Sequence, residues 1–148
     1  MPFIQNCAAS DISSGTFYLD PGENSMLIQI GDPGSWFPEP RIKFTIREKF
    51  EFLDVEEDDE VFDEECRISD EQAERLIHLL KTALSNDMNV IVHCFAGVCR
   101  SGAVAEVGIM MGFTDTATYR SPNLLVKHKM MKAAGLKYDS SEWAIDLE

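Results

Sequence analysis

The stretch Asn89-Val90-Ile91-Val92-His93-Cys94-Phe95-Ala96-Gly97-Val98-Cys99-Arg100-Ser101-Gly102 decides how the rest of the chain is read. Val90-Ile91-Val92 is a short, continuous, β-branched run, the pattern of a strand buried on both faces. A helix is predicted from about Ser101 to Met111, with Gly112 ending it. The residues between form a loop that leaves a strand and enters a helix. Such a loop aims backbone N–H groups at one point, where the helix dipole is positive, and makes an anion cradle. Gly97 lets the backbone turn tightly. Arg100 brings a planar, permanently charged fork that can hold two phosphate oxygens at once. Cys94 lies at the floor of the cradle. Surroundings that attract an anion also stabilise a thiolate, so its pKa is expected below that of a free thiol. That makes it a nucleophile at neutral pH. Ser101 can donate a hydrogen bond to the sulfur when it leaves.

Outward from this segment the chain alternates strands and helices. Residues 3–7 read as a strand. Met26-Leu27-Ile28-Gln29-Ile30 reads as another, stopped by Gly31-Asp32-Pro33-Gly34, and prolines and glycines keep residues 31–40 irregular. Lys49 to Asp54 alternates like a strand, with Phe50 and Phe52 on one face. Ser69 and Gln72 have the spacing of a capping box. Ala73, Leu76, Ile77, Leu80 and Leu84 then form an apolar stripe at helical spacing. A last helix is expected to start near Pro122, a favoured first-turn residue, and to end before Gly135. The pattern predicts an α/β fold: a central, mostly parallel sheet flanked by helices, with the phosphate loop at the C-terminal end of a strand.

The chain has 148 residues, 45% of them hydrophobic, and is expected to form one domain over 1–148. Its formal net charge is −13. Residues 54–65 hold nine acids and no base, so removing them from −13 leaves −4. Such a charge disfavours nucleic acid and anionic membrane as partners. No apolar run is long enough to span a bilayer. The first residues lack the basic region and apolar stretch of an export signal. A cytoplasmic location is therefore expected, with Cys7, Cys66, Cys94 and Cys99 kept as thiols for packing or chemistry. The acids at 54, 56, 58 and 65 approach the ligand spacing of a calcium loop. Asp59 replaces the glycine that such a loop needs, and a strand rather than a helix precedes it. His78 and His128 lack metal-ligand spacing, so no metal and no cofactor is expected. Met110, Met111, Met130 and Met131 read as core.

The ten residues His93 to Gly102 resemble the signature of the cysteine-dependent protein tyrosine phosphatases, His-Cys-(five residues)-Arg-Ser/Thr. The short chain looks like the dual-specificity branch or the small tyrosine phosphatases of bacteria and phages. The resemblance implies that Cys94 is the nucleophile that forms a phosphocysteine. Arg100 and the amides of Phe95, Ala96, Gly97, Val98, Cys99 and Arg100 would bind the phosphoryl group. Ser101 would assist breakdown of the intermediate, and His93 would orient the loop and help set the thiol pKa. The family also uses an aspartic general acid on the loop after the strand that precedes the helix leading into the signature. Here Asp54 matches best, 40 residues before Cys94, and Asp58 and Asp59 remain open. Tyr119-Arg120-Ser121-Pro122-Asn123 resembles the Arg…Pro-Asn segment that opens a late helix in the dual-specificity branch.

Cys99 departs from the usual pattern, where a small residue is common. Low-molecular-weight tyrosine phosphatases share the Cys-(four residues)-Cys-Arg-Ser spacing. This makes Cys99 the expected partner in a reversible disulfide with Cys94 under oxidation, against the plainer role of an apolar filler. The activity implied is hydrolysis of phosphomonoesters, first of all phosphotyrosine in a phosphoprotein or phosphopeptide. Serine and threonine phosphates follow if the pocket is shallow. The alternatives are a phosphotyrosine-binding module without turnover, and the same chemistry on a non-protein phosphate such as an RNA 5′-phosphate, which the net charge disfavours.

Overall fold

The computed structural model describes residues 1–55 and 67–136. Asp58, Asp59, Cys66 and most of the acidic run lie outside the described residues. In chain order the elements are β1 (Phe3–Ala8), α1 (Ala9–Ser14), β2 (Ser25–Gly31), β3 (Ile46–Glu51), α2 (Asp70–Ser85), β4 (Asn89–Cys94), α3 (Arg100–Met111), β5 (Thr114–Asp115) and α4 (Leu124–Ala134). The five strands form one sheet in the order β3-β2-β4-β1-β5, and every pairing is parallel. β4 occupies the centre. Its register sets Ala8 of β1 beside Cys94 and Gln29 of β2 beside His93.

Alternation along the strands sorts the side chains onto two faces. Ile4, Met26, Ile28, Ile30, Phe50, Val90, Val92 and Cys94 join one apolar cluster with α2, α3 and α4. Cys7, Leu27 and Ile91 face the other way, under Ile12 of α1 and Phe44. Val90, Ile91 and Val92 are all fully buried, as a strand covered on both faces requires. Burial of each large side chain contributes about 2 kcal/mol.

The capping box forms as expected. Gln72 donates its backbone N–H to Ser69 Oγ at 3.0 Å, and Ser69 donates its own to Gln72 Oε1 at 2.8 Å. Two of the orphan donors at the start of α2 are thereby satisfied. Ala73, Leu76, Ile77 and Leu80 are buried, and Leu84 packs at the cluster's edge.

Three expectations are corrected. β3 runs Ile46–Glu51 rather than to Asp54. Phe52 stays buried, and its N–H donates to Gly31 O at 3.0 Å as a last rung before the chain leaves the sheet. α4 begins after Asn123, not at Pro122, because the Asn123 side chain accepts the Val126 N–H and caps the helix. Met110 is exposed, on the outer side of α3. α1 and β5 were not anticipated; six and two residues are too few for a periodic signal. Among the described residues no helix is long and apolar enough to cross a membrane.

Candidate active site

In an all-parallel sheet the C-terminal ends of the strands share one edge, and the loops that leave them converge there. Cys94 is the last residue of β4 and Arg100 the first of α3. The loop between them is bolted down by its carbonyls. Ala9 donates to Phe95 O at 3.2 Å, Ser121 to Val98 O at 3.1 Å and Asn123 to Cys99 O at 3.0 Å, all from the backbone. The buried Asn6 side chain donates to Gly97 O at 2.7 Å and to Tyr119 O at 2.9 Å. A trans peptide sets its N–H opposite its C=O. Four carbonyls are thus held on the outside, and the N–H groups of Gly97, Val98 and Ser101 turn to the Cys94 sulfur.

Gly97 has φ +77, and a Cβ there would lie 2.3 Å from the Cys7 carbonyl carbon. The loop therefore rests on the backbone of β1, and only glycine fits.

Cys94 is buried, with its Sγ 3.2 Å from Ser101 Oγ. Burial pushes the thiol pKa up. The Ser101 hydroxyl and the backbone N–H groups of Ser101, Gly97 and Val98 outweigh it, and the net shift is downward. Cys7, by contrast, is held as a neutral thiol, chiefly by burial and then by the charges of Asp11 and Cys94. Cys7, Cys94 and Cys99 are all unlinked.

Arg100 is buried, and its Nη1 donates to Asp32 Oδ1 at 2.8 Å and to the Phe52 carbonyl at 2.7 Å. Its Nε is buried and has no partner among the described residues. A buried, charged donor left open calls for an acceptor that arrives from outside. His93, the residue before Cys94 in β4, is buried, with Nδ1 3.3 Å from Cys94 O. Burial lowers its pKa to about 4; Arg47 and Arg100 push the same way, and the backbone contact opposes them. The ring is neutral at pH 7 and brings no positive charge to the thiol. The lowering at Cys94 comes from hydrogen bonds.

Asp54 lies just past β3 and is exposed. Its Oδ1 accepts a hydrogen bond from Asn123 Nδ2 at 2.7 Å. Asn123 also binds Cys99 in the loop, so one residue joins the carboxylate to the cradle. A cleft of about 90 Å³ opens beside it, bounded by Asp32, Trp36, Phe37, His93, Phe95 and Arg100. Trp36 and Phe95 are 78% and 82% exposed, an aromatic rim on a charged floor. A larger hollow, about 610 Å³, lies between β3 and the start of α2; among the described residues its lining (Lys49, Arg67 and Gln72 among others) includes no cysteine, and Ser69 there is spent on the helix cap.

Sequence reasoning brought together Cys94, Arg100, Ser101 and His93, and the structure places Asp54 one residue away from them through Asn123. It missed Asp32, Asn6 and the Phe52 carbonyl. Asp32 stands in sequence as part of a chain-breaking turn, and Asn6 sits inside a strand with no local signal. Among the described residues no group of three or more His, Cys, Asp or Glu side chains is placed to hold a metal ion.

No protein-family model matches the sequence, and no curated protein sequence matches it either. Solved structures do. A human tyrosine phosphatase-like serine/threonine/tyrosine-interacting protein superposes with a TM-score of 0.62 at 14% identity, over 91% of this chain and 93% of that one. A mouse protein described as a dual specificity phosphatase, complexed with zinc tungstate, gives 0.55 at 16% identity, over 88% and 79%. A tyrosine phosphatase from the Orf virus, described as having triple substrate specificity, gives 0.50 at 15% identity, over 89% and 82%. The strand order, the loop after the central strand and these likenesses converge: the chain has the fold of the tyrosine and dual-specificity phosphatases.

Proposed function

We propose that the chain hydrolyses phosphomonoesters, phosphotyrosine in proteins first, through a phosphocysteine intermediate. One observation carries the reading. The Cys94 thiol, lowered in pKa, accepts from the backbone N–H groups of Gly97, Val98 and Ser101, next to a buried Arg100 whose Nε has no partner among the described residues.

The chemistry follows from that placement. The phosphoryl oxygens would sit on the loop amides and on Arg100, which also hold the charge that spreads onto them in the transition state. The Cys94 thiolate attacks phosphorus, and the phosphorus–ester oxygen bond breaks. Asp54 gives its proton to the departing oxygen. In the second step Asp54 takes a proton from water as the water oxygen attacks phosphorus. The phosphorus–sulfur bond breaks, inorganic phosphate leaves, and the Ser101 hydroxyl donates to the restored thiolate. Asp32 and the Phe52 carbonyl occupy Nη1 of Arg100, which orients the rest of the guanidinium toward the cradle. Trp36 and Phe95 supply flat apolar surface for an aryl ring, which favours phosphotyrosine over a short aliphatic ester. Cys99 stays proposed as the disulfide partner of Cys94 under oxidation.

A second reading, binding of phosphotyrosine without turnover, draws support from the likeness to a phosphatase-like interacting protein. Release of phosphate from p-nitrophenyl phosphate, wild type against Cys94→Ser, separates the two. Turnover that falls by at least about a thousandfold in the variant supports the enzyme. A wild type that binds phosphotyrosine peptide and releases no phosphate selects the binding module.

A further inference from the structure

Asn123 is fully buried, and every polar group it owns is used. Its Oδ1 accepts the Val126 N–H at 3.1 Å, which caps α4. Its backbone N–H holds Cys99 O in the phosphate loop, and its carbonyl accepts the Lys127 N–H. Its Nδ2 donates to Asp54 Oδ1 at 2.7 Å and to Val55 O at 3.3 Å.

Capping alone does not require this residue. Serine or aspartate caps a helix about as well as asparagine. An amide sets its acceptor and its donor on two separate atoms, so one short side chain holds the helix with Oδ1 and the carboxylate with Nδ2, where a hydroxyl would have to do both from a single atom nearer the backbone. Asp54 itself stands on exposed chain beyond β3, and among the described residues its carboxylate has no other hydrogen bond. The partner is also neutral. A lysine or arginine there would favour the charged carboxylate, whereas an amide fixes one oxygen and adds no charge.

We propose that Asn123 is a positioning residue for Asp54. It pins Oδ1 from the buried side and leaves Oδ2 to carry the proton that goes to the leaving oxygen. Because its backbone is fastened to Cys99, the same residue sets how far the carboxylate stands from the cradle. This rests on the phosphatase reading above and goes a step past it, to what makes an exposed acid effective.

The test uses leaving groups of different need. Phenyl phosphate expels a poor leaving oxygen that requires a proton, and p-nitrophenyl phosphate expels one that needs it far less. Asn123→Ser keeps a capping oxygen and removes the Nδ2 amide, leaving one hydroxyl that stands a bond nearer the backbone and serves the cap. Its kcat/KM on phenyl phosphate, which reports the step in which the leaving oxygen departs, should fall about tenfold more than its kcat/KM on p-nitrophenyl phosphate. In an Asp54→Asn background the same change should add no further selective loss. Asn123→Asp keeps the cap, sets a second carboxylate against Asp54, and should show the larger selective loss. It also serves if Asn123→Ser does not fold. Equal losses on both substrates would overturn the proposal and leave the phosphatase reading standing, as would a selective loss that persists without Asp54. A wild type with no turnover on either substrate would overturn the phosphatase reading and the proposal together.

Discussion

The phosphate cradle and the groups that surround it are built in different ways. The cradle closes on itself within a few residues: Cys94 and Ser101 are seven apart in sequence. The surrounding groups come from far away. Asp32 reaches Arg100 across 68 residues, the Phe52 carbonyl across 48, and Asn123 reaches Asp54 across 69. The cradle is a local motif that one strand and one helix can present. Its surround exists only because parallel strands deliver their C-terminal ends to a common edge. A motif of this kind is legible as a string, while the residues that aim it are not.

Three substitutions press on that division, from the largest expected effect to the smallest. Gly97→Ala tests how local the cradle is. Its Cβ would meet the backbone of β1, at a φ that L side chains rarely adopt. Unfolding in urea should show a loss of about 4 kcal/mol, and turnover should fall at least about a hundredfold. A stable, active variant would mean that the loop does not depend on β1.

The next concerns His93, which belongs to the motif but takes its character from the sheet beneath it. Its pKa is lowered from 6.5 to about 4 in the folded chain. Between these values the unfolded chain binds a proton that the native one refuses, so this contribution to stability is complete above pH 6.5 and shrinks as pH falls toward 4. By pH 5 it should have cost about 2 kcal/mol. Stability measured from pH 7 to pH 4.5 should fall more steeply for wild type than for His93→Asn. Parallel curves would place the ring in contact with water instead.

The smallest effect should be that of Asp32→Asn. It keeps the shape and removes the charge that faces Arg100. Because Asp32 is exposed, solvent screens the pair, and about 1 kcal/mol is at stake. kcat/KM should fall between about threefold and tenfold, mostly through a higher KM, with vanadate inhibition weakened in proportion. No change in either would mean that the loop alone orients the guanidinium.

Several features were legible before any coordinates. The buried β-branched run, the capping box at Ser69 and Gln72, and the apolar stripe of α2 each rest on neighbours within one turn or one strand. The sheet order was not legible, nor was the early end of β3 at Glu51. Both depend on which strand lies beside which, and a hydrophobic period does not encode that. The start of α4 was misplaced for a related reason. Proline is a sound general signal for a first turn, but here Asn123 wins the cap with a side chain that also answers Asp54.

The residues of the chain by themselves determined that a cysteine, a tight glycine turn and a fixed cation share one loop between a strand and a helix. Those are covalent neighbours, and chain geometry holds them together in any fold that keeps the strand and the helix. Only the tertiary structure decided what stands around them. It set Asp32 on Arg100, neutral His93 under the loop, Asn6 behind Gly97, and Asn123 between Asp54 and Cys99. The contacts of Asp32, Asn6 and Asn123 each require closing a long stretch of chain, at an entropic cost that the burial of the whole sheet offsets.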